Sequence, residues 1–75
     1  MNADTIVILY DVTEWETANA ACETETETWR GTIADFLRDN EFLPLEIGMI
    51  VHHLLSGGAH YFGGGAEPLT VLRLA

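Results

Sequence analysis

The apolar residues of the chain fall into blocks of different period, and each period predicts an element. Thr5-Ile6-Val7-Ile8-Leu9-Tyr10 is a continuous β-branched and aromatic run closed by Asp11. Such a run suits a strand covered on both faces and therefore central in its sheet. Residues 11–21 show no clear period and mix acids with small side chains, which predicts a loop with a helical turn around Glu14–Ala20. Strict alternation then takes over in Glu23-Thr24-Glu25-Thr26-Glu27-Thr28-Trp29. Threonine favours strands, so this is a second strand with glutamates on one face and threonines on the other, and its polarity places it at a sheet edge.

The period next changes to that of a helix. Thr32 with Asp35 three residues on resembles a capping box, in which hydroxyl and carboxylate satisfy amides that a helix start leaves unpaired. A helix opens near Ile33, with Ile33, Phe36 and Leu37 toward the core, Asp35, Arg38 and Asp39 toward water, and Asn40 as its stop. Pro44 starts a second helix that runs to about Ser56, where Gly57-Gly58 supplies a left-handed cap. Ile47, Ile50, Val51, Leu54 and Leu55 share one broad arc of it. The opposite arc carries Glu46, His52 and His53, but also Leu45 and Met49, which a monomer would leave near solvent. His60-Tyr61-Phe62 and Leu69–Leu74 read as two further strands, joined as a hairpin through the glycine-rich residues 63–68. The expectation is one α+β domain spanning residues 1–75 in ββααββ order, a mostly antiparallel sheet with both helices packed on one face.

Size sharpens this picture. With 75 residues there is room for one core, and a core of that size supplies only about 3–5 kcal/mol unless a disulfide, a metal or a partner subunit adds to it. Cys22 is the single cysteine, so no internal disulfide forms. The apolar fraction of 48% favours a real core over disorder.

Charge narrows the partners. Twelve acids against three arginines and no lysine give a formal charge of −9. Nucleic-acid phosphates are repelled by such a surface, whereas a basic protein groove is attracted to it and its association is accelerated. Solubility alone is the competing account of the acidity. Met1–Asp4 carries no basic residue and Ile6–Tyr10 is too short for a signal or membrane segment, so a cytoplasmic protein that does not enter membranes is expected, and a lone cysteine fits a reducing compartment.

Candidate chemistry changes little. Ser56, the single serine, sits beside two glycines at a helix end and reads as a terminator. Cys22 has no marked base, and a small buried thiol is the common fate of such a residue. His52 and His53 point about 100° apart on a helix and cannot easily share a metal, which leaves only a set from Glu46, His53 and His60. Gly63-Gly64-Gly65 leads into Pro68 and a strand, not into a helix N-terminus with a lysine, so it reads as a turn and not a phosphate cradle. Carboxylate pairs arise by chance among twelve acids. No enzyme, cofactor or metal is expected.

What remains is the acidic surface. Asp4, Asp11, Glu14, Glu16, Glu23, Glu25 and Glu27 place seven acids in the first twenty-nine residues without one base. On a strand Glu23, Glu25 and Glu27 recur about every 6.6 Å along one face, a rail that meets lysines and arginines spaced for nucleic-acid phosphates. Defence of an exposed edge explains the same glutamates without a partner. Trp15 and Trp29 flank the stretch, and either, if exposed, supplies the desolvated anchor that charge lacks; core burial is the alternative for both. The candidate partner-binding set is Asp11, Glu14, Glu16, Glu23, Glu25, Glu27 and Trp29, and the candidate self-association pair is Leu45 with Met49.

In shortness, acidity, α+β order and lack of a catalytic motif the chain resembles small phage-encoded anti-CRISPR proteins. The resemblance is one of general character over the whole chain and transfers no residue role. It implies a phage protein acting in the host cytoplasm, with a CRISPR effector complex as target and inhibition as a DNA mimic that blocks target DNA. Two other classes share the pattern: a small acidic regulatory or antitoxin-like protein with a single basic partner, and a self-associating structural phage protein that dimerises through Leu45 and Met49.

Overall fold

The computed structural model describes residues 1–16, 21–63 and 69–75, with the side chains of 14–16, 21 and 22 outside the description. Its elements are β1 (Ile6–Glu16), β2 (Ala21–Thr32), α1 (Ile33–Asp39), α2 (Pro44–Gly57), β3 (Ala59–Phe62) and β4 (Leu69–Leu74). They form a small α+β domain around one four-stranded sheet of order β2-β1-β4-β3, antiparallel at every pairing. β1 lies inside the sheet and β2 at its edge.

The first strand is longer than its apolar run. Residues 11–16, expected as loop or helical turn, continue β1 and pair with 21–26 of β2. Asp11 and Glu14 are poor strand formers, but β2 offers a continuous ladder of backbone partners, and Val12 is buried. The rest of that expected turn, residues 17–20, lies outside the described residues, as do most of the expected Gly63–Pro68 turn and the side chains of Trp15 and Cys22. β4 pairs with β1 only from Val7 to Val12, so beyond Val12 the β1–β2 ladder continues with β2 as its described partner strand, along a molecule 45 Å in its longest dimension.

β2 runs directly into α1. The Asp35 amide donates to Thr32 Oγ1 at 3.1 Å, closing one half of the expected capping box, and Asn40 Nδ2 donates to the Phe36 carbonyl at 2.7 Å where the helix stops. α2 begins on Pro44 and ends at Gly58, whose φ of 74° is the left-handed cap and whose amide donates to the Leu54 carbonyl at 3.0 Å.

Both helices contribute to one core, with Ile33 and Phe36 from α1, Ile50 and Leu54 from α2, and Val7 and Leu72 from the sheet. Phe42, Phe62 and Trp29 ring it, with Phe36 centroids 5.5–6.2 Å from theirs. Leu55, expected among the core arc of α2, is instead 60% exposed. It sits at the margin of that arc, and the sheet covers only the centre, where Ile50 and Leu54 are 1% exposed each.

Candidate functional site

One irregularity decides which side chains share a face with the acidic rail. Leu9 pairs with Trp29, but the next residue, Tyr10, pairs with Glu27, leaving Thr28 as the extra residue of a β-bulge. Its hydroxyl donates to the Leu9 carbonyl at 3.2 Å. Because strand side chains alternate, one extra residue inverts the parity on either side of it. Glu25 and Glu27 stand opposite Val12 and Tyr10, on the sheet face away from the helices, whereas Trp29 turns with Leu9 toward the core.

Trp29 is therefore separated from the glutamates with which simple alternation groups it. It is half-buried against Phe36 at 5.7 Å and lies over Gly31, where a Cβ would come within 2.6 Å of its ring. Only glycine leaves room for that ring.

The face that carries the glutamates has no described element over it, yet Ile8, Val12 and Val71 on it are 6%, 5% and 0% exposed. Long polar side chains share the face with them. Arg73, opposite Ile8 on β4, reaches across β1 to Glu25 on β2 in a two-pronged pair, Nη1 to Oε2 and Nη2 to Oε1 at 2.6 Å each, and its guanidinium carbon lies 5.3 Å from the Tyr10 ring centre. Tyr61 on β3 flanks Val71 from the other side. The arginine's hydrogen bond, together with its charge, holds the Glu25 carboxyl below its ordinary value against a smaller opposing effect of desolvation.

Glu27 is also tied, accepting from Arg30 Nε at 2.8 Å. Arg38 pairs with Asp35 and Asp39, so all three arginines of the chain are engaged with carboxylates. Asp11, half-buried, accepts from the Thr70 hydroxyl at 3.0 Å and so braces β1 against β4. Glu23 is exposed at the far part of β2, and the register sets it opposite Glu14, with Glu16 opposite Ala21. Like charges directly opposed on a ladder are destabilising. The candidate acids thus divide into braced positions, Asp11, Glu25 and Glu27, and a distal group on the outer β1–β2 ladder, Glu14, Glu16 and Glu23.

Arg73 and Tyr10 were not among the candidates. The available signal was that Arg73 is the single charged residue of its strand, a position that needs a partner across the sheet.

The histidines form a separate group. His53 Nδ1 and His60 Nδ1 are 2.7 Å apart with rings stacked at 4.9 Å, so one ring donates and the other accepts. Burial, and then the neighbouring His53, push His60 below its ordinary value. The conceivable set of Glu46, His53 and His60 does not assemble: among the described residues no group of three His, Cys, Asp or Glu side chains could hold a metal. Glu46 and His60 instead line a cavity of about 140 Å³ with Met49, Ile50 and Phe62.

Leu45 and Met49 are 77% and 49% exposed on the outer side of α2. No helix of the described residues is long and apolar enough to cross a membrane. No protein-family model, curated relative or solved structure matches the chain.

Proposed function

We propose that this chain is a non-enzymatic inhibitor that docks its acidic β1–β2 ladder on the basic nucleic-acid path of a CRISPR effector complex and blocks target DNA. The reading rests on one observation. Six of the twelve acids lie on β1 and β2, and the register opposes Glu14 to Glu23 where folding alone favours a neutral or opposite pair. Internal pairing tempers Glu25 and Glu27, so the distal acids Glu14, Glu16 and Glu23 form the leading contact and the paired glutamates exchange their arginines for the partner's only on docking.

The test is target-DNA binding by purified CRISPR effector complexes of several types, with and without the chain, over a range of salt. The expected result is loss of DNA binding with at least one complex, weakening as salt rises. Replacing Glu14, Glu16 and Glu23 together by glutamine should slow association and flatten the salt slope more than replacing Glu25 and Glu27. An unchanged on-rate and slope in both variants would remove the acidic ladder from the interface.

A further inference from the structure

The outer side of α2 is the part of this molecule least suited to water. Leu45, Gly48, Met49, His52, Leu55 and Ser56 recur at three- and four-residue steps along it, the spacing of a helix–helix seam. Leu45, Met49 and Leu55 are 77%, 49% and 60% exposed, and Leu43 at the N-cap is 66% exposed. None of the six seam residues is an acid or an arginine, in a chain of formal charge −9.

Gly48 carries a second signal. It lies inside a 14-residue helix, and a Cβ built on it meets nothing within 4 Å. The fold around it therefore gains nothing from glycine, the poorest helix former after proline. A glycine in the middle of an exposed apolar helix face is explained by close approach of something from outside.

We infer that the outer face of α2 binds a second copy of this chain, with the two α2 helices antiparallel across a two-fold axis at the level of Ile50. Charge selects this occupant. Two molecules of charge −9 repel through most of their surfaces and can meet closely only through a face without carboxylates, whereas a basic partner finds nothing on that face to pair with. The spacing is self-complementary about position 50: Leu45 of one copy meets Leu55 of the other, and Gly48 receives the ring of the second copy's His52, a large side chain against a small one. Antiparallel helices also oppose their dipoles. The outer face of a 14-residue helix is about 21 Å long and 10 Å wide, smaller than a standard interface, so the dimer is weak and forms with concentration.

Sedimentation velocity of the full chain from about 10 μM to about 1 mM tests this. The mass should rise from 8.3 kDa toward twice that value. Gly48→Leu should hold it at the monomer value throughout while the circular dichroism stays that of the folded chain, since the added side chain has open space in the monomer. Met49→Asp should do the same, and Thr24→Asp, exposed on the edge strand β2 at the far side of the sheet from β3, should leave the wild-type curve unaltered. A wild-type mass that stays at 8.3 kDa up to the highest concentration overturns the proposal. So does association that survives Gly48→Leu and Met49→Asp, or that is lost in Thr24→Asp.

Discussion

The two faces of the sheet are dry for different reasons. On one, two helices press Ile33, Phe36, Ile50 and Leu54 onto Val7 and Leu72, and burial comes from apolar packing. On the other, Ile8, Val12 and Val71 are nearly as inaccessible on the face that also carries Tyr10, Tyr61 and the Arg73–Glu25 pair. Aliphatic stems and aromatic bodies exclude water while their polar ends stay in it. A domain too small for a second layer of helices can thus close an exposed sheet face, and that use of Arg73 removes Glu25 from the carboxylates free to meet a partner.

The packed face should be the more sensitive. Val7→Ala should cost about 2–3 kcal/mol in urea unfolding, and Val71→Ala, which loses the same two methyls on the other face, about 1 kcal/mol. Equal losses would mean that the polar cover packs as tightly as the helices. Next in size, Gly31→Ala should cost about 1–3 kcal/mol because the new methyl meets the Trp29 ring, and the cost should shrink in a Trp29→Leu background. A loss independent of Trp29 would show that the bulge does not seat that ring against the chain. Loss of the N-cap by Thr32→Ala should cost about 1 kcal/mol in the same assay, and an unchanged midpoint would detach the cap from the stability of this junction.

Two smaller effects are read against pH. The Glu25 carboxyl is lowered in the folded state, so its pairing stabilises fully above the ordinary carboxylate range and is lost as pH falls through the lowered value. Arg73→Met keeps the stem and removes the charge. Its melting temperature should lie below wild type near about pH 7, and the gap should close in acid as pH falls through the lowered Glu25 value. A gap that persists in acid assigns the arginine to packing alone. His60 is lowered as well, so folding disfavours its protonation, and its contribution fades as pH falls through the ordinary histidine value of about 6.5. Between about pH 7 and about pH 5 the wild type should therefore lose stability that His60→Gln retains, and parallel curves would exclude His60 as the source.

Much of this was legible because it depends on neighbours a few residues away. The Thr32 cap, the Asn40 stop, Pro44 at the start of α2, Gly58 at its end and the polar edge strand each follow from local backbone chemistry, and so do the exposed Leu45 and Met49 on the outer arc of α2. The β1 extension was illegible because Asp11 and Glu14 are individually poor strand residues, and only a partner strand makes them one.

By itself the sequence determined the α+β class, the helix limits, the negative charge and its concentration in the first twenty-nine residues. Tertiary structure alone decided the strand order, the bulge at Thr28 that turns Trp29 away from the glutamates, the exposure of Leu55, and the pairing of Glu25 with Arg73 across 48 residues. The reason is one of range. Propensity and period act over a turn or two of chain, whereas register, parity and the partner of a charge are set by which distant strand supplies the next row of hydrogen bonds.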